Sequence, residues 1–199
     1  MMRFKMILTA LLGLALAAPA AATLPELTRH LEATKTMTAN FTQVAGNGAT
    51  TTGRVYLARP GKIRFQYEKG IPLLVVADGK SLNVIDYEVR QVQRFPIKST
   101  PLSVLLDPRA DLAKFARVKS SDDQALIIEA RDRKHPEYGI ITLYFDRERG
   151  APANLSLTGW NVIDAQGNTT RVALTDVKFN VTVNDNAFRF RDPRTRKRR

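Results

Sequence analysis

The chain holds only two histidines, His30 and His135, and no cysteine. A zinc site needs three or four nitrogen, sulfur or oxygen donors brought together, and two isolated imidazoles without thiolates give no ligand spacing. No metal and no cofactor is expected. None of the serines lies in a G-x-S-x-G elbow, so a nucleophile with an oriented base is not visible. There is no glycine-rich phosphate loop. The carboxylates Asp122, Asp123, Asp146 and Glu148 read as turn residues. The chain is therefore not expected to be an enzyme; a protein with so few reactive groups is better suited to binding.

What remains is a pattern of apolar residues, and the elements that carry them. One helix is expected at the start, with Thr23 and Glu26 as a T-x-x-E capping box and Pro25 in the first turn. Leu24, Leu27 and Leu31 form a narrow apolar stripe, and His30 is expected on the polar side. After Met37 the period changes to two. Ala39 to Val44 reads as a strand, with a turn at Gly46-Asn47-Gly48, and Thr52 to Arg59 as the next, with Gly53, Val55, Leu57 and Arg59 on one face. Lys62 to Glu68 alternates most cleanly, Ile63, Phe65 and Tyr67 against Lys62, Arg64, Gln66 and Glu68.

An apolar strand from Pro72 to Ala77 ends at Asp78-Gly79, a hairpin signal. Leu82, Val84 and Asp86 alternate next, and Val89 to Phe95 returns. Further strands are expected at Phe115 to Ser120, Gln124 to Ala130, Gly139 to Asp146, Ala153 to Ile163 and Thr169 to Phe179. About eleven strands with short connections predict one large antiparallel sheet, strongly curved or partly closed. From Pro96 to Phe115 the alternation stops. Ser99 or Thr100 is placed to cap a short helix with Pro101 in its first position and Leu102, Val104, Leu105 and Leu106 following; Asp107-Pro108 ends it, and Asp111 to Phe115 adds a turn. A helix this apolar must lie on something, and the concave face of the sheet is available.

Residues 1–22 have the layout of a secretory signal peptide: Arg3 and Lys5, an apolar run from Met6 to Ala18, and Ala20-Ala21-Ala22 before Thr23. Residues 23–199 are then expected to form one exported domain. Without cysteine, such a domain has no disulfide framework and relies on its hydrophobic core. The formal charge is +12. Export makes nucleic acid an unexpected partner, and most cations alternate with apolar residues, as on a solvated sheet face. The concentrated exception is the tail, where residues 194–199 read as a disordered basic arm.

Several segments together resemble one family. Leu57-Ala58-Arg59-Pro60-Gly61-Lys62-Ile63-Arg64-Phe65 resembles the R-P-x-x-F/I-x-W/F signature of the outer-membrane lipoprotein carrier family, LolA. So do Ala39-Asn40-Phe41-Thr42-Gln43, Ala77-Asp78-Gly79-Lys80-Ser81-Leu82 and Thr100-Pro101-Leu102-Ser103-Val104-Leu105-Leu106, and Phe188-Arg189-Phe190-Arg191-Asp192-Pro193 is similar to the family's closing F-x-F-x-P-P. The matches fall in family order across nearly the whole chain after residue 22.

The resemblance implies an incomplete, half-open antiparallel β-barrel of about eleven strands, with a lid of short helices over a hydrophobic cavity. It implies a soluble, monomeric periplasmic chaperone without cofactor. Such carriers take lipoproteins from an inner-membrane ABC transporter, hide their acyl chains and deliver them to an outer-membrane receptor. On this reading Val55, Leu57, Ile63, Phe65, Leu82 and Val84 line the cavity, and Leu102, Leu105 and Leu106 belong to the lid. Arg59 matches the family arginine that hydrogen-bonds the lid and latches it; the plainer reading is a strand-end arginine reaching solvent beside Pro60. The chain departs from the family in carrying Phe65 where tryptophan is common, Asn83 where another aromatic often sits, a single tryptophan, Trp160, and the basic tail. These departures leave open a carrier or sensor of another lipid or glycolipid on the same fold. From a different class, a secreted hydrolase is the rival.

Overall fold

The computed structural model describes residues 24–97 and 102–194. The leader, the expected caps Thr23, Ser99 and Thr100, Pro101 and the tail from 195 lie outside these residues. Helix α1 (Leu24–Ala33) is followed by strands β1 (Thr36–Val44), β2 (Thr50–Ala58), β3 (Lys62–Tyr67), β4 (Leu73–Asp78), β5 (Ser81–Asp86) and β6 (Gln91–Pro96). The short helices α2 (Ser103–Leu106) and α3 (Leu112–Phe115) lead into β7 (Ala116–Ser121), β8 (Ala125–Arg131), β9 (Ile140–Arg147), β10 (Leu155–Ile163) and β11 (Thr169–Phe179).

All strands belong to one antiparallel sheet in the order β6-β5-β4-β3-β2-β1-β11-β10-β9-β8-β7. The first and last strands of the chain's sheet pair in its middle, so β1 meets β11, while β6 and β7 are left as edges. The sheet is therefore not closed. The crossover from β6 to β7 carries α2 and α3, where the period-two pattern stopped in the sequence.

The alternation has its expected cause. In β3, Ile63, Phe65 and Tyr67 are buried on the concave side, while Lys62, Arg64 and Gln66 face outward. The concave side and the helices share one core, in which Leu27 and Leu31 of α1 and Val104, Leu105 and Leu106 of α2 pack with Val55, Leu57 and Phe145. The β4 strand is apolar at every position but its last for another reason: it is buried on both faces. Val75 and Ala77 look into the main core, whereas Leu74 and Val76 join Ile85 and Phe188 in a second one on the convex side. There the segment after β11 folds back over the sheet, held by Arg64 Nη1 donating to the carbonyls of Ala187 (3.0 Å) and Arg189 (3.2 Å).

One glycine in a strand has a packing reason. Gly53 pairs with Phe41 and Tyr67 on its two sides, and the Phe41 ring occupies the space its side chain would fill. A Cβ at this position would stand 2.2 Å from the Gln66 carbonyl oxygen and 2.8 Å from the Phe41 ring. Gly53→Val is expected to cost about 1–3 kcal/mol by overpacking, read as a lowered urea midpoint with an unchanged m-value. An unchanged midpoint would show that both the β3 backbone at Gln66 and the Phe41 ring have room to move.

Candidate functional site: an apolar cavity beside a short helix

Between the two halves of the curved sheet lies a cavity of about 460 Å³. Phe65, Tyr67, Val75, Leu82, Val84 and Phe95 form the wall on the β3–β6 side. Ile140, Ile141, Trp160, Val162 and Val172 form the opposite wall on β9–β11, and Leu102 roofs it beside the lid helix. Polar residues occur at the mouth, among them Gln43, Thr170 and Glu137. Aromatic rings hold the walls at a fixed spacing by edge-to-face contact: Tyr67 on Phe41 (5.2 Å), Phe41 on Phe65 (5.5 Å) and Phe65 on Trp160 (5.7 Å). This chain of rings runs from β3 through β1 and back to β3, then across to β10.

The expected cavity residues separate into two groups. Phe65, Leu82 and Val84 lie on the wall with Leu102. Val55, Leu57 and Ile63 are wholly buried in the core, as are Leu105 and Leu106 of the lid. The physical reason is the helices: α1 and α2 fill the end of the barrel where β2 runs into β3, so side chains there meet helix and not open space. The other half of the wall was not anticipated. Trp160, Ile141 and Val172 sit in strands whose alternation was visible, but which half-closed surface they face depends on the β1–β11 pairing, a long-range register with no local signal.

Arg59 stands one residue beyond β2. Its Nε donates to the Leu105 carbonyl (3.0 Å) and its Nη1 to the Thr34 carbonyl (2.8 Å). Those oxygens come from the C-terminal end of α2 and from the residue just after α1, where helices leave carbonyls without internal partners and carry partial negative charge. Both acceptors are neutral. Burial accordingly pushes the guanidinium down to about 10, still fully charged at neutral pH. The Gly61 N–H adds a second tie to the same lid turn, donating to Leu106 O at 2.9 Å. Beside it, Asn180 closes the end of α1, its Nδ2 donating to Ala33 O (3.0 Å) and its Oδ1 accepting from Lys35 N (2.8 Å).

A family model described as outer membrane lipoprotein carrier protein LolA matches residues 32–191. The chain belongs to this family. An outer-membrane lipoprotein carrier protein of Cupriavidus necator is 30% identical, over 97% of this chain and 97% of its own length. Its counterpart in Chromobacterium violaceum is 28% identical, over 96% of this chain and 94% of its own. Among solved structures, a DUF1329 family protein of Desulfovibrio piger shares the fold with a TM-score of 0.50 at 10% identity, covering 83% of this chain and 95% of that one.

Two departures from the family pattern take on a definite place. Asn83 does not touch the cavity: it is buried on the convex side, donating to Val76 O and Ser81 O (both 3.2 Å) and accepting from Arg94 Nε (3.0 Å). Phe65 does line the cavity, and the indole missing there stands across from it as Trp160.

His30 corrects the expectation of a solvated histidine. It is 1% exposed, with its ring edge-on to Phe145 (5.2 Å) and Phe179 (5.8 Å). Helix α1 buries His30 together with Leu27 and Leu31, because it packs against both the sheet and the turn at Pro152–Asn154. Nδ1 lies 2.9 Å from Pro152 O, and a carbonyl can only accept, so Nδ1 carries the proton. Glu26, assigned above to a capping box, gives its carboxylate to Arg147. Among the described residues no group of three or more His, Cys, Asp or Glu is placed to hold a metal ion.

Burial lowers the His30 imidazole from 6.5 to about 4. Between these values the unfolded chain binds a proton that the folded one does not, so stability is full above 6.5 and declines as pH falls toward 4. The loss expected from this group is about 3 kcal/mol. In His30→Gln, which keeps a neutral donor for Pro152 O, denaturant midpoints should show a flatter acid limb. An acid limb as steep as in the parent would show that other groups dominate it.

Proposed function

We propose that this protein is a periplasmic chaperone that binds the acyl chains of lipoproteins released from the inner membrane and delivers them to the outer membrane. The observation that carries the reading is the mainly apolar cavity beneath a short helix tied down by hydrogen bonds from the charged Arg59 to neutral carbonyls. Its volume falls within the roughly 300–1,000 Å³ of ligand sites. Each exposed methylene costs about 0.8 kcal/mol in water, so a chain of roughly fifteen costs about 12 kcal/mol, and an apolar wall removes that cost. The relatives named as outer-membrane lipoprotein carrier proteins, matched end to end, support the same reading. The partners on this proposal are an inner-membrane ABC transporter and an outer-membrane lipoprotein receptor, with the chaperone acting as a monomer without cofactor or catalytic step. No helix of the described residues is long and apolar enough to cross a membrane.

Delivery requires a cavity that closes again, and here Arg59 has its role. Its bond to Leu105 O exists only while α2 is in place, whereas the bond to Thr34 O holds the guanidinium at the end of α1; the first therefore stabilises the closed, empty form and opposes the loaded one. By linkage, removing it shifts the population toward the open form that holds cargo. Hydrogen bonds from a charged donor contribute about 1.5–3 kcal/mol, which corresponds to roughly tenfold or more in affinity.

Two measurements test this. Added to spheroplasts, the purified protein should release newly made lipoproteins into the medium. Failure to do so, with extraction of another lipid instead, would move the assignment to a different cargo. Arg59→Leu should fold, hold acyl ligand at least as tightly as the parent, and transfer it poorly to the receptor. Normal transfer by that variant would remove the latch.

A further inference from the structure

The formal charge of the chain is +12, yet among the described residues lining the cavity the sole charged side chain is an acid, Glu137. It lies at the mouth, on the helical turn Pro136–Tyr138 between β8 and β9. That turn is anchored at its C-terminal end. Gly139 follows it with φ of +75°, and a Cβ there would stand 2.1 Å from the Ile163 carbonyl oxygen, so the backbone is pressed directly against the end of β10. The His135 ring contributes a second constraint, with Nδ1 2.9 Å from Glu137 Oε1.

Three cations stand just before this turn, Arg131, Arg133 and Lys134, and both arginines face elsewhere. Arg131 and Arg133 line a separate pocket on the outer surface, together with Lys114, Arg117 and Glu129. Asp132 is buried and accepts from the Lys134 backbone N–H at 2.9 Å. The two arginines thus lie in the outer pocket while the Glu137 carboxylate lines the cavity. Hydrogen bonding from its own N–H and from His135 holds the Glu137 carboxyl below the usual range, so it is ionised at neutral pH. The Glu137 side chain is 57% exposed, so its charge acts through solvent at the rim of the cavity.

We propose that Glu137 is a charge filter at the mouth, favouring acyl ligands with a cationic or neutral polar head, as in an acylated peptide, over lipids bearing a phosphate. This rests on the carrier reading above, since only a ligand whose chains fill the cavity places its head beside Glu137. The carrier is thereby given a means of passing over the phospholipids that surround its cargo at every membrane, without recognising the cargo's folded part.

The test uses three palmitoylated peptides identical except for Lys, Ser or Glu next to the acylated residue, and lysophosphatidylglycerol, all below their micelle concentrations. Affinities are measured at pH 8 in low salt, where exposed charges are least screened. The protein should bind the Lys peptide about two- to fivefold more tightly than the Glu peptide, the range of exposed ion pairs, and lysophosphatidylglycerol more weakly than the Ser peptide. Glu137→Gln should abolish both differences and Glu137→Lys invert them, while the Ser peptide binds all three proteins alike. An ordering that ignores the residue at 137 overturns the filter and leaves the carrier reading in place. Absence of binding by the Ser peptide to the parent protein overturns both.

Discussion

An apolar hollow in water tends to collapse or to fill, and the structure depends on how this protein holds the two walls of the hollow apart. The rings of Tyr67, Phe41, Phe65 and Trp160 meet edge to face, so the two walls are propped apart by contacts that are themselves favourable. Closure is assigned to a different kind of force. Arg59 is held by carbonyls at two helix ends, with neutral acceptors and no carboxylate in its bonds. A buried ion pair in that position would be costly to separate, because each partner would be left as an uncompensated charge. Carbonyl acceptors make the contact easier to break and to make again.

Most of the architecture was legible in the sequence because each strand repeats its burial at every second residue. The helix expected from Leu24, Leu27 and Leu31 formed where the stripe placed it, and the interruption between Pro96 and Phe115 became the crossover with α2 and α3. The eleven strands followed the alternation to within a few residues at their ends. His30 departs from the expected polar side for a definite reason: at i+3 from Leu27 it sits within the buried stripe, and position overrides polarity. With its Nδ1–H donated to Pro152 O, a neutral imidazole is an acceptable core residue.

The site was legible only in part. Local pattern identifies which side chains share a face, and so Phe65, Leu82 and Val84 could be grouped. It does not say how far the helices reach into the concave side, which decides that Leu57 and Ile63 meet Leu105 and Leu106 and not the open space. Nor does it reveal the second core, because Leu74, Val76, Ile85 and Phe188 come together only when the segment after β11 crosses the convex face. Arg59 was recognisable from its odd place among apolar neighbours, but its acceptors, 25 and 46 residues away, are backbone groups and carry no sequence signature.

That second core makes the two walls mechanically unequal. Strand β4 is clamped between apolar layers on both faces, with Val75 and Ala77 beneath and Leu74 and Val76 above. Among the described residues, strands β8 to β10 have no second apolar layer on the face shared by Glu129, Thr142 and Asn161 along one register, where the buried Glu129 is covered by its ion pairs with Arg117 and Lys119. Bending the clamped wall disturbs two sets of packed side chains at once, while bending the other disturbs one. A ligand larger than the resting hollow therefore gains its room asymmetrically, by yielding on the side of β7 to β10 and the lid, with the β3–β5 wall serving as the stiff reference surface against which the rest moves.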